Sequence, residues 1–114
     1  MSLLHLALRS EWEAGQRDGR YTPRRFAADG FVHCCGDRAT AEAVARAYFS
    51  ARTEPLLLIH LDEAKLDVAV KWEAPAPPDG QAHAHHGGGK RFPHVYGSIP
   101  LAAVLLLEEW HEPV

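Results

Sequence analysis

Cysteine is nearly missing from these 114 residues: Cys34 and Cys35, side by side, are the only two. Neighbouring side chains usually point apart and a vicinal disulfide is strained, so no disulfide framework is expected and a reduced compartment suits the chain. Long apolar runs are lacking as well. Leu56 to Ile59 and Ala102 to Leu107 fall far short of a membrane span, which needs roughly eighteen apolar residues or more. No basic stretch leads into an apolar segment and a small-residue cleavage site at the N-terminus, so the expectation is a cytoplasmic protein without a membrane partner. Positive charge is not in excess either. Twelve Lys+Arg against fifteen Asp+Glu give a formal charge of -3, so duplex nucleic acid is not an expected partner. The common chemical signatures are missing too: no Gly-x-Ser-x-Gly, no phosphate loop, no Gly-x-Gly-x-x-Gly, no His-Glu-x-x-His. Gly87-Gly88-Gly89-Lys90 lacks both the spacing and the closing Ser/Thr of a phosphate loop.

What is present is ordinary globular composition, 46% hydrophobic and 24% charged, with one unusual count: eight histidines. The length fits a single domain, residues 1–114, with one core. Leu3 to Leu8 reads as a first strand, apolar except for His5. Ser10 with Glu13 three residues on predicts a capped helix containing Trp12, kept short by Gly15 and Gly19. Tyr21 to Arg25, with Pro23, reads as irregular, and Phe26 to Ala28 as one turn. Phe31 to Cys34 predicts a short strand. Asp37 or Thr40 then caps the clearest helix, in which Ala41, Val44, Ala45, Tyr48 and Phe49 share a face. Further strands are predicted over Leu56 to Leu61, Val68 to Trp72, Phe92 to Tyr96 and Val104 to Trp110, with one helical turn over Asp62 to Lys65. A Pro- and Gly-rich loop fills Ala74 to Arg91. The fold class is α+β: a small split sheet of short strands with two main helices.

The histidines sort by surroundings. His83, His85 and His86 lie among Gly, Ala and Gln, a composition that suits a solvated loop better than a rigid ligand shell. His111 sits among glutamates near the C-terminus and reads as a surface residue. His5, His33, His60 and His94 lie in or beside apolar segments, where a half-buried imidazole needs partners for both ring nitrogens. Any one of them is as readily a satisfied structural histidine as a functional one. His60 has nothing near it in sequence that looks like a site. His33 and His94 sit in Gly30-Phe31-Val32-His33 and Phe92-Pro93-His94-Val95-Tyr96-Gly97, where glycines permit close approach and aromatics can meet a ligand. His5, His33 and His94 could also form a three-histidine metal site, but no short-range spacing supports one. A His33–Cys34 nucleophile pair is disfavoured because adjacent strand residues face opposite ways. Arg17, Arg20, Arg24 and Arg25 form either a solvated face or a small phosphate site.

Several of these pieces, taken in order, resemble the DUF952 family of small bacterial proteins over nearly the whole length. They are His5-Leu6, Trp12, Tyr21 with Pro23, Gly30-Phe31-Val32-His33-Cys34, Tyr48-Phe49, Trp72-Glu73-Ala74-Pro75 and the block from Phe92 to Gly97. The resemblance implies a remote relation to the ADP-ribosyltransferase-like fold, which includes RNA 2′-phosphotransferases and holds NAD in a cleft of its split sheet. It implies catalytic positions at His5, on the ribose, and His33, near nicotinamide, with Glu73 or His94 at the third position. On that reading His33 or Tyr96 would pack against the nicotinamide, and an arginine from Arg20, Arg24 or Arg25 would pair with pyrophosphate. The chain departs from the family at Ala7 and Cys35, where a hydroxyl-bearing residue is frequent, and its loop over His83 to Gly89 is longer.

The expected function is therefore a cleft for NAD or another nucleotide, with ADP-ribosyl- or phosphoribosyl-transfer-like chemistry. Two alternatives stand beside it: a small-ligand binding protein without catalysis, and a metal-dependent hydrolase built on the three histidines. Whether the chain is an enzyme stays open at this point, as does the choice between monomer and homodimer. The leading reading requires no metal.

Overall fold

The computed structural model describes residues 2–74 and 91–112. The loop histidines His83, His85 and His86 lie outside them.

The first sheet follows from two continuous apolar segments. β1 (Ser2–Leu8) runs antiparallel to β5 (Leu56–Asp62), with His5 opposite Ile59. β5 also pairs with β9 (Val104–Glu109), giving the order β1-β5-β9. Strands covered on both faces need no polar alternation. Here Leu3, Ala7, Leu57, Ile59 and Leu61 enter one core cluster, with Trp12, Tyr21, Val32 and Val95. Leu4, Leu6, Leu56 and Leu58 enter the other, with Ala41, Ala45 and Trp110. His5 has the strand parity of Leu3 and Ala7, so it points toward the first cluster. β9 is different: Leu105, Leu106 and Leu107 are exposed, and among the described residues it pairs only with β5.

α3 (Arg38–Tyr48) covers the second cluster with Thr40, Ala41 and Ala45. Asp37 is its cap: the Thr40 backbone N–H donates to Asp37 Oδ1 at 2.7 Å. α1 (Arg9–Ala14) starts earlier than the Ser10-Glu13 pattern predicts. Its N-cap position is Leu8, directly at the end of β1, and the Ser10 N–H donates to Glu54 Oε1 instead.

The second sheet has the order β4-β7-β6, from β4 (Val32–His33), β7 (Phe92–Val95) and β6 (Val70–Glu73). His33, His94 and Lys71 form one row across its three strands. The third sheet forms where the sequence pattern predicts irregular structure or no element. β2 (Gln16–Arg17) and β3 (Arg20–Tyr21) form a hairpin, and β3 also pairs with β8 (Ile99–Pro100). The hairpin turn is Asp18-Gly19, both at positive φ (55° and 76°), the arrangement a two-residue hairpin turn demands. A bridge between Leu4 and Cys35 ties β1 to the segment after β4. The result is the mixed α+β architecture of small split sheets expected from the strand pattern. No helix among the described residues is long and apolar enough to cross a membrane.

Candidate functional site

The short helix α2 (Phe26–Asp29) ends at Gly30, whose φ of 81° is the left-handed turn that glycine permits cheaply. The turn sends the chain into Phe31 and β4 and brings Asp29 back onto His33. His33 Nε2–H donates to Asp29 Oδ2 at 2.8 Å, and Arg25 reaches the same carboxylate at 3.4–3.5 Å. Burial acts to raise the Asp29 pKa, but the hydrogen bonds from His33 and Arg25 outweigh it and hold the carboxyl below its usual range. Burial lowers the His33 pKa, and the opposing pull of Asp29 only partly offsets it.

His5 lies on β1 inside the first core cluster. Its Nδ1–H donates to the His33 backbone carbonyl at 2.6 Å, which leaves the lone pair on Nε2 facing the Tyr21 hydroxyl at 3.5 Å. Both partners suit a neutral ring. Burial drives the His5 pKa down to about 4, although the carbonyl bond acts in the other direction.

His94 lies beside His33 on β7. Its Nδ1–H donates to Glu73 Oε1 at 2.8 Å, and the Tyr96 hydroxyl donates to the same oxygen. These bonds, Tyr96 first, hold the Glu73 carboxyl below its usual range, while the carboxylate raises the Tyr96 pKa. Phe31 stacks on the His94 ring at 4.0 Å and 22°, and tilts against His33 at 4.6 Å. The His33 and His94 rings stand edge to face with centroids 5.8 Å apart.

His5, His33, His94, Phe31 and Arg25 line one largely apolar cavity of about 120 Å³. At roughly 10–15 Å³ per water on this measure, that is the room of about ten waters. Glu73 and Tyr96 stand behind His94 and are not among the lining residues. The arginines separate. Arg25 lines the cavity. Arg20 is held at the β3–β8 corner, bonded to Asp67 through both terminal nitrogens (2.9 and 2.7 Å) and to Ser98 Oγ at 2.6 Å. Arg24 donates its backbone N–H to Glu11, and it does not line the cavity either.

The other histidine readings also have positions. His60 bonds Glu108, which Arg38 also bonds, and His111 is exposed. Cys34 and Cys35 are buried and not disulfide-bonded, and burial pushes the Cys34 thiol well above its usual range, away from thiolate chemistry. Among the described residues no group of three His, Cys, Asp or Glu side chains is placed to hold a metal ion. Sequence reasoning missed Asp29 and Tyr21 as partners of the imidazoles. The one available signal was Asp29-Gly30, a turn pair four residues ahead of a histidine.

A family profile described as a protein of unknown function (DUF952) matches residues 6–107. Among solved structures, the crystal structure of protein CC0527 from Caulobacter crescentus is 26% identical to this chain. That match covers 96% of this chain and 85% of the other, with a TM-score of 0.74. A crystal structure of a double mutant of that protein matches at 25% identity, the same coverages and the same TM-score. Its solution NMR structure matches at 26% identity, 95% and 83% coverage and a TM-score of 0.64. No curated protein matches the chain.

Proposed function

For a chain that belongs to the DUF952 family, whose description carries no activity, we propose that the histidine-lined cavity takes the nicotinamide end of NAD or a closely related nucleotide. The observation that carries this reading is convergence. His5, His33 and His94 come from three strands far apart in sequence and line one cavity with Phe31 stacked at its wall. The cavity has room for one small planar ring bearing a carboxamide, with the rest of the nucleotide lying outside. Aromatic faces such as Phe31 and His33 suit an electron-poor ring. Arg25 is the lining cation available to a phosphate. The remote ADP-ribosyltransferase-like relation that the sequence resemblance implies is what favours NAD over other nucleotides and transfer over redox chemistry in this reading.

Departure of nicotinamide builds positive charge on the ribose. Glu73, held ionised by Tyr96 and His94, supplies a fixed negative charge next to the cavity, and preorganised charge of this kind lowers such a barrier. His5 stays neutral and braces the backbone at His33.

A second reading, binding without turnover, draws on the same geometry: both ring nitrogens of His5 already face protein partners, leaving it no idle group for a ribose. Calorimetry with NAD and an assay for released nicotinamide separate the two. Saturable binding that weakens about tenfold or more in His94→Ala supports the cavity as the site. Nicotinamide release selects transfer, and saturation without release selects binding. No heat of binding at millimolar NAD overturns the proposal.

A further inference from the structure

We propose that His33, oriented by Asp29, is the proton acceptor of this site and that the group it activates is a hydroxyl, of an alcohol or of water. The inference rests on the reading of the cavity as a nicotinamide-nucleotide site.

Three imidazoles line the cavity, and only one is arranged for this task. A base needs a lone pair on a ring nitrogen and a route for the incoming group. His5 has Nδ1 on the His33 carbonyl and Nε2 toward Tyr21, and it is buried. His94 has Nδ1 on Glu73, its ring is stacked under Phe31, and its side chain is 3% exposed. The His33 side chain is 27% exposed, which makes it the one of the three that solvent and an incoming group reach. Its bond to Asp29 fixes the proton on Nε2 and the lone pair on Nδ1, for which no partner appears among the described residues. An imidazole backed by a carboxylate is oriented in one tautomer, and the ion pair formed on protonation is stabilised in place. The charged and titratable groups that face His33 are Asp29 and Arg25 from the α2 side, His94 from β7 and His5 from β1.

The hydroxyl follows from the chemistry of acceptors. A thiol reaches its nucleophilic thiolate near neutral pH unaided, whereas a hydroxyl must give up its proton as it attacks. In the step assigned here, a lone pair on the acceptor oxygen forms the new bond to the ribose C1′. The C1′–N bond to nicotinamide breaks, and its electron pair stays on the ring nitrogen, which loses its positive charge. The hydroxyl proton passes to His33 Nδ1 and then to solvent. The products are the O-glycosidic ADP-ribose (free ADP-ribose when water attacks), neutral nicotinamide and one proton.

The test uses the full chain, His33→Gln and Asp29→Asn, each checked for fold by circular dichroism. NAD binding is measured by calorimetry, and nicotinamide release is followed against pH with water, a short alcohol and a small thiol as acceptors. NAD binding should stay within about threefold in Asp29→Asn, whose side chain is not part of the lining, and weaken by up to about tenfold in His33→Gln, which loses an aromatic face of the wall, so release is compared at saturating NAD. Release with water or alcohol should fall on the order of 10²-fold in His33→Gln, and less in Asp29→Asn. Release with the thiol should change little. The wild-type rate should drop on the acid side as His33 protonates. That limb should move to lower pH in Asp29→Asn, where the imidazolium has lost its partner, and vanish in His33→Gln. If His33→Gln fails to fold, the Asp29→Asn limb decides alone. An unmoved limb in a chain that binds NAD and releases nicotinamide overturns the role of His33 while the site reading stands. A wild-type chain that neither binds NAD nor releases nicotinamide overturns both.

Discussion

Replacing His5 by glutamine should flatten the pH dependence of stability. His5 is buried, bonded as a neutral ring, and its pKa is lowered to about 4 from an ordinary 6.5. The folded chain therefore binds this proton less readily than the unfolded chain. The stability present above pH 6.5 is lost as pH falls from about 6.5 to 4, and the loss is complete below that. The full shift corresponds to roughly 3 kcal/mol, of which about 2 kcal/mol falls between pH 7 and pH 5. His33, also lowered, acts in the same direction in both proteins and cancels in the comparison. Asp29, Glu73 and Glu108 hold lowered carboxyl pKa values, so their contribution is lost at more acid pH, and the comparison stops at pH 5. His5→Gln keeps a donor for the His33 carbonyl but cannot titrate. Urea unfolding followed by tryptophan fluorescence at pH 7, 6 and 5 reads the difference. With an m value of about 1–3 kcal/mol/M, the wild-type midpoint should fall by on the order of 1 M more than that of the variant. Parallel pH dependences would refute a buried neutral His5, as would an NMR titration placing its pKa near 6.5.

Two further outcomes follow from local geometry. Asp37→Ala removes the side chain that accepts from Thr40 at the start of α3, and should cost about 1 kcal/mol, read as a melting temperature lower by on the order of 4 °C. Gly97→Ala would place a Cβ 2.5 Å from Val68 Cγ1 and 2.9 Å from Val68 Cβ. It should destabilise by about 1–3 kcal/mol in urea unfolding, and adding Val68→Ala should recover part of that loss. If the double variant is as unstable as the two costs summed, the contact is not the cause.

How much was legible in the sequence depended on how local each cause is. β1 and β5 were legible because strands buried on both faces must be apolar throughout, and α3 because one face and one cap define it. The start of α1 was not legible. Ser10 and Glu13 have the spacing of a capping box, but the Ser10 N–H finds Glu54 forty-four residues away, so the helix begins at the strand end. The two-residue strands β2, β3 and β8 are too short to show a period of two, and only Asp18-Gly19 marks their hairpin.

The site divides along the same line. A histidine in an apolar strand announces a buried imidazole that must be bonded, which singled out His5, His33 and His94. It does not say to what, and the partner sets the chemistry. A backbone carbonyl makes His5 a neutral brace, Asp29 makes His33 an oriented base, and Glu73 turns His94 into the support of a carboxylate. Arg20 shows the converse. In sequence it is one of a group of arginines suited to phosphate, yet Asp67 and Ser98, at separations of 47 and 78 residues, hold it elsewhere, and the cavity keeps Arg25. Residue type fixes which proton or charge is available. Long-range partners fix whether it is available to a ligand, so Asp29→Asn, which changes the partner and keeps the imidazole, is the variant that tests the role of His33 most directly.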